Sequence, residues 1–258
     1  MTCWDGLAAA GVGAGSGGAG RYNPWCFSPI ISDCPRKMKT PVSLLCAFVL
    51  ATVAVFSVQA EALKGDVQAG ERKNTMCMGC HGIVGYQATF PEVHKVPKIA
   101  GQNEQYIVNA LVAYKKGERK HPSMRGIATT LTDQDIADVA AYYAQLGVVA
   151  GAAALPKAPA GSTKAAELVA KGACTSCHGE SLNQPVDPGF PKLAGQYRDY
   201  LFVALKSYKA EGNPNVGRGN AVMGGVAKQF SHAELKVLAE YLASLPGDVK
   251  TVPENRLR

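Results

Sequence analysis

The sequence predicts an all-α fold built from two tandem copies of one small helical domain, and three observations carry that prediction. Pro97-Lys98-Ile99-Ala100-Gly101-Gln102 returns as Pro191-Lys192-Leu193-Ala194-Gly195-Gln196. Apolar residues recur at helical spacing in corresponding places of both copies. No stretch alternates apolar and polar residues over a length useful to a strand.

Each copy opens with a helix running into a C-x-x-C-H pentapeptide, Cys77-Met78-Gly79-Cys80-His81 and Cys174-Thr175-Ser176-Cys177-His178. A loop and a middle helix follow. Its stripe is Tyr106, Ile107, Ala110, Leu111 and Tyr114 in the first copy, and Tyr200, Leu201, Ala204, Leu205 and Tyr208 in the second. After a second loop comes a terminal helix with a capping-box start, Thr132 with Asp135 and Ser231 with Glu234. Leu131 with Ile136, and Phe230 with Leu235, take the positions of a hydrophobic staple. Ile136, Val139, Ala140, Tyr143 and Leu146 then match Leu235, Leu238, Ala239, Leu242 and Leu245 as the buried face.

The run from Gly147 to Ser162 is rich in Gly, Ala and Pro and reads as a linker. Residues 61–150 therefore form the first domain, 151–162 the linker and 163–258 the second domain. Upstream, residues 1–37 are Gly/Ala-rich and carry no pattern that could bury a core. Residues 38–60 read as a secretory signal peptide: basic residues at Arg36, Lys37 and Lys39, an apolar run from Val42 to Val58, and a small-residue cleavage site ending at Ala60. That predicts a periplasmic protein and places the initiator at Met38. The apolar run approaches the roughly 18 residues of a spanning helix, so an uncleaved membrane anchor is the competing expectation.

Cysteine usage narrows the chemistry. Of eight cysteines, Cys3, Cys26, Cys34 and Cys46 precede the cleavage site, and the other four all lie in the two pentapeptides. A disulfide framework, the usual fate of cysteines in an exported protein, has no cysteine left to build it. The C-x-x-C-H spacing puts two thiols one helical turn apart, where both can form thioethers to one porphyrin. The next histidine, His81 or His178, then stands as the axial ligand to iron. Two covalent c-type haems also provide the large apolar bodies that domains of roughly 90 residues need to complete a core. A zinc site made from Cys77, Cys80, Cys174 and Cys177 is the alternative. Export, the trailing histidines and a matched pair of methionines argue against it.

An electron-transfer haem takes a sixth ligand, commonly methionine. Met1 and Met38 fall outside the mature chain, and Met76 and Met78 flank the first pentapeptide on the proximal side. Met124 and Met223 remain, in matching loops upstream of Thr132 and Ser231, and they follow their histidines by 43 and 45 residues. The bland alternative for a loop methionine is gap-filling; equivalent placement in both copies favours ligation. Pro97 and Pro191 read either as turn prolines or as residues whose carbonyls bond the imidazole of His81 and His178. His94, His121 and His232 are expected at the surface, with His121 near enough to Met124 to substitute as a ligand. Lys115, Lys116, Arg119, Lys120 and Arg125 read as a solvated loop in preference to a steering patch for an acidic partner.

The whole chain has 258 residues and a formal net charge of +7. Removal of residues 1–60 takes four basic and two acidic side chains from 27 and 20, leaving 23 and 18, a net of +5. Four haem propionates would offset most of it. A nucleic-acid protein would be more basic and more clustered.

Taken together, the paired pentapeptides, the P-K-[IL]-A-G-Q segments, the methionine loops and the capped terminal helices resemble the two-haem cytochrome c4 family over Gly65 to Leu245. The resemblance implies two class I cytochrome c domains related by a pseudo-twofold axis, with haem propionate edges meeting at the interface. It implies Cys77 and Cys80 as thioether anchors with His81 and Met124 on the first iron. Cys174, Cys177, His178 and Met223 would serve the second. It further implies a periplasmic carrier of single electrons, not an enzyme, with no small-molecule substrate. Its partners would be redox proteins: a membrane terminal oxidase or another respiratory complex. The loops 117–123 and 212–222 differ, one basic and one Gly/Asn-rich, which permits unequal haem potentials. Two rivals stand beside this reading. A dihaem peroxidase predicts one missing methionine, and both are present. A cytochrome subunit of a dehydrogenase, of the flavocytochrome type, stays open.

Overall fold

Asp66 starts the first helix because its carboxylate accepts the N–H groups of Gln68 and Ala69 at 2.8 and 3.0 Å, donors that the first turn leaves unpaired. The computed structural model describes residues 63–148, 157 and 164–253, all within one compact unit, Ala60–Arg258. The expected upstream extension, the expected signal peptide with its cleavage point, and most of the expected linker lie outside the described residues.

In the first half, helices α1 (Val67–Lys73) and α2 (Thr75–His81) lead through the pentapeptide. A two-residue ladder follows, β1 (Gln87–Ala88) with β2 (His94–Lys95), then α3 (Glu104–Lys116), β3 (Arg119–Lys120), α4 (Pro122–Ala128) and α5 (Asp133–Gln145). The second half repeats the plan as α6 (Lys164–Lys171), α7 (Thr175–His178), α8 (Arg198–Ser207), β4 (Gly217–Arg218), α9 (Ala221–Lys228) and α10 (His232–Ser244). The all-α expectation describes the architecture; the strands are two-residue pairings in loops. Among the described residues no helix is long and apolar enough to cross a membrane.

Both expected capping boxes form, Thr132 with Asp135 and Ser231 with Glu234. The terminal helices bury the predicted faces. Ile136, Val139, Ala140 and Tyr143 enter one core, and Leu235, Leu238, Ala239, Leu242 and Leu245 the other, while Leu146 is half-buried. Helix α1 crosses α5 at Gly70, where a Cβ would lie 2.0 Å from the Asp138 carbonyl oxygen. Asp138 itself is 2% exposed, and its carboxylate accepts from the Asp66 N–H, Lys73 Nζ and Gln134 Nε2. A buried charge persists there because three donors meet it.

The repeated P-K-[IL]-A-G-Q segment holds the two halves together. Gly101 and Gly195 take left-handed φ values of 76° and 73°, and each donates its N–H to the terminal helix of its own half, at Tyr143 and Leu242. A side chain there would be strained, so the sequence keeps glycine. That turn presents the next residue to the opposite half. Gln196 bonds the N–H and carbonyl of Lys98 at 3.0 and 2.8 Å, and Gln102 bonds those of Lys192 at 2.9 and 3.1 Å. Lys98 Nζ reaches the Gly195 carbonyl at 2.6 Å and Lys192 Nζ the Gly101 carbonyl at 2.8 Å. Strands β3 and β4 also pair across the halves. Finally, Ala100 and Lys250 exchange backbone bonds, so the C-terminal segment is tied onto the first half.

Candidate functional site

Between the helices runs one cavity of about 1060 Å³, walled by residues of both halves. Helix α2 brings Cys77, Cys80 and His81 to its wall, and α7 brings Cys177 and His178. Met124 and Met223 line it from α4 and α9. Cys174 packs instead against the second apolar core, where burial pushes its thiol pKa up. Among the described residues no three His, Cys, Asp or Glu side chains gather as a metal site, so the four-cysteine zinc alternative has no geometric basis.

The two imidazoles are held alike. His81 Nδ1 donates to the Pro97 carbonyl at 2.9 Å, and His178 Nδ1 donates to the Pro191 carbonyl at 2.9 Å. Burial lowers the pKa of both rings, against the opposing effect of those carbonyls. Each ring is thus kept neutral with its other nitrogen free, the form in which an imidazole takes a metal. Between the two readings of the prolines, the geometry selects the hydrogen-bonding one.

Both methionines stand on short helices, where the sequence led us to expect loops. Met223 N donates to the N-cap Asn220 at 2.9 Å, and Met124 N to the N-cap His121 at 3.4 Å, with Pro122 at the first helical position. Seven- and eight-residue helices lie too close to the lower limit of length for periodicity to reveal them. His121 is half-buried, serves as this cap and donates Nε2 to the Phe90 carbonyl. His94, expected at the surface, is buried: it lines the cavity and bonds the Glu92 carbonyl at 2.8 Å. His232 is exposed at the start of α10, as expected.

Arg119 departs furthest from expectation. It is no solvated loop residue but lies over the Tyr114 ring and bonds the hydroxyls of Tyr106 and Tyr200 at 3.2 and 2.7 Å. Arg218, its partner in the β3–β4 pairing, bonds Tyr200 and Tyr208 at 3.2 and 3.5 Å. Among the described residues no carboxylate pairs with either guanidinium. Burial alone would raise the Tyr200 phenol, but the two cations outweigh it and hold its pKa down to about 7. Arg119 Nε is buried with no hydrogen-bond partner among the described residues.

These observations test the fit of a haem. The cavity lining is mostly apolar, with Ile107, Leu111 and Leu201 among it, yet at the interface it turns two uncompensated cations inward. A large apolar ring bearing carboxylates satisfies both features. Sequence reasoning missed Arg119, Arg218, Gln102 and Gln196 as functional residues. The signal was available: both arginines precede their methionine by five residues, and both glutamines close the repeated hexapeptide.

Fold and cavity define a tandem pair of cytochrome c domains, and the cytochrome c family pattern matches residues 67–147 and 162–246. The chain carries two covalently bound haem c groups and is an electron-transfer protein, not an enzyme. It is 33% identical to cytochrome c4 of Pseudomonas aeruginosa over 70% of this chain and 89% of that one. The structure of reduced cytochrome c4 from Pseudomonas stutzeri superposes with a TM-score of 0.54 at 31% identity, covering 70% of this chain and all of that one. The thiosulfate dehydrogenase electron acceptor of Stutzerimonas stutzeri is 31% identical over 76% of this chain and 94% of its own length. The chain belongs to the cytochrome c4 family.

Proposed function

We propose that Cys77 and Cys80 anchor the first haem by thioethers, with His81 and Met124 as axial ligands. Cys174, Cys177, His178 and Met223 do the same for the second. One observation carries this reading: in each half, a neutral imidazole oriented by a proline carbonyl and a methionine on a capped helix face the same apolar cavity. The haem iron supplies a one-electron Fe(III)/Fe(II) change. The protein's share is to orient the imidazoles through Pro97 and Pro191, to exclude water with the apolar walls, and to meet the propionates with Arg119 and Arg218. After export and cleavage at Ala60 the carrier works in the periplasm, within a respiratory chain, and passes its electrons to a membrane terminal oxidase.

A second reading for the donor is supported by the similarity to a thiosulfate dehydrogenase electron acceptor, which favours a dehydrogenase as the source of electrons. The two readings are compatible, since one names the entry and the other the exit of the electron.

Carbon monoxide difference spectra of the fully reduced protein, with haem counted per chain, test the ligand assignment. Two haems and no carbon monoxide complex are expected; binding at one haem means that Met124 or Met223 is not a ligand. Stopped-flow mixing of the reduced carrier with oxidase-containing membranes tests the exit. Reoxidation no faster than in buffer would reject the oxidase as acceptor.

A further inference from the structure

The clamp between the halves reaches the imidazoles. The carbonyl of Pro97 and the N–H of Lys98 belong to a single trans peptide group. Its oxygen accepts the His81 Nδ1 bond at 2.9 Å, while its N–H donates at 3.0 Å to Oε1 of Gln196, a residue of the other half. The mirror image holds for the peptide joining Pro191 and Lys192. Its oxygen accepts from His178 Nδ1 at 2.9 Å, and its N–H donates to Oε1 of Gln102 at 2.9 Å.

Both glutamines are 4% exposed and cannot swing away. Gln196 Nε2 donates to the Lys98 carbonyl at 2.8 Å, and its Oε1 also accepts the Tyr197 N–H at 2.9 Å. Gln102 repeats this with the Lys192 carbonyl and the Asn103 N–H. A peptide group that donates through its N–H carries more negative charge on its oxygen, and each bond in such a chain strengthens the next by about 10–30%. A stronger acceptor at Nδ1 makes the imidazole a better donor through its other nitrogen, which favours the oxidised iron.

We infer that each half tunes the haem of the other: Gln196 sets the ligand strength of His81, and Gln102 that of His178. This rests on the reading of His81 and His178 as axial ligands and goes beyond it, because the tuning residue lies in the opposite domain. Any partner that loosens the contact between the halves then raises both potentials together.

The test uses the haem-loaded full chain and NMR-followed redox titration, reading each haem separately along with the Nδ1 protons of His81 and His178. In Gln196→Leu the Fe(II)/Fe(III) ratio of the His81 haem at fixed ambient potential is expected to rise two- to fivefold. That is about 20–40 mV at 59 mV per tenfold, with the His178 haem shifting by less than half as much. Gln102→Leu should reverse the pattern. If a leucine variant fails to fold, Gln196→Glu carries the test: its carboxylate accepts more strongly, lowers the potential of the His81 haem most and moves the His81 Nδ1 proton alone. Equal shifts at both haems, a shift confined to the haem of the mutated half, or no shift overturns the inference. Should neither Nδ1 proton show the paramagnetic shift of a nearby iron in the unaltered protein, the ligand reading fails and takes the relay with it. If both do and the variants change nothing, the relay alone is wrong.

Discussion

Replacing Gly70 by alanine sets local helix energetics against tertiary packing in the helix that leads into the first pentapeptide. Judged locally, the change stabilises, because alanine is better than glycine in a helix by about 1 kcal/mol. In the fold the new Cβ would lie 2.0 Å from the Asp138 carbonyl oxygen, 2.6 Å from the Asp138 carbonyl carbon and 2.8 Å from Tyr142 Cβ. An ordinary contact needs roughly 3.5 Å, so α1 must retreat from α5 by about 1.5 Å. The nearest obstacle is backbone and cannot rotate aside. Retreat also stretches the bonds from the Asp66 N–H and Lys73 Nζ to Asp138, at 2.8 and 2.6 Å. Overpacking of this kind costs about 3 kcal/mol at the upper end of its common range. The helix gain offsets about 1 kcal/mol of that, and the difference of about 2 kcal/mol lowers Tm by roughly 8–16 °C for a domain of this size. The assay is thermal unfolding of the haem-loaded variant, followed by circular dichroism at the haem band. A Tm that rises, or falls by less than about 2 °C, refutes the argument that a backbone crossing at Gly70 governs this helix pair.

Two further outcomes are expected. Lys73 and Thr132 hold the Asp135 carboxyl well below the usual carboxylate range. For Asp138, burial works the other way, and Lys73, the Asp66 N–H and Gln134 outweigh it, so its pKa is lowered too. Both groups are depressed in the folded state, so their contribution is complete above about pH 4 and is lost as pH falls through the folded values. Lys73→Met should therefore move the acid-unfolding midpoint upward, measured by circular dichroism against pH, and an unchanged midpoint counts against the Lys73 bonds. At the cap of α4, His121→Asn copies the Asn220 cap of α9 and should leave denaturant stability within about 0.5 kcal/mol, whereas His121→Ala should cost about 1 kcal/mol. Equal behaviour of the two variants would mean that His121 does not act as a cap.

The candidate site was legible to the extent that its chemistry is local. C-x-x-C-H compresses two proposed anchors and a proposed ligand into five residues, and duplication singled out Met124 and Met223 among six methionines by position, the two that line the cavity from equivalent helices. His94 and Arg119 were misread for a common reason. Each sits in a short, irregular or two-residue-strand segment, where no periodicity reports burial, and each is drawn inward by partners far along the chain. Arg119 bonds Tyr200 at a separation of 81 residues. The helices α4 and α9 escaped notice because seven or eight residues carry too little pattern, and their caps differ, His121 against Asn220.

The sequence by itself determined the all-α class, the duplication, the capped terminal helices with their buried faces, and the two covalent haems. Each follows from spacing within about fifteen residues, the range over which helical periodicity and capping act. Only the tertiary structure decided what the hexapeptide repeat is for. The left-handed glycine in each copy turns a glutamine onto the backbone of the other half, and the same peptide group meets the imidazole of its own half. Tertiary contact likewise turned Arg119 and Arg218 inward among the tyrosines of both copies. The bonds that cross between the halves, from Gln102, Gln196 and Arg119, join residues 81–98 positions apart, and no local pattern can register them, because the chain must first fold twice and then close upon itself.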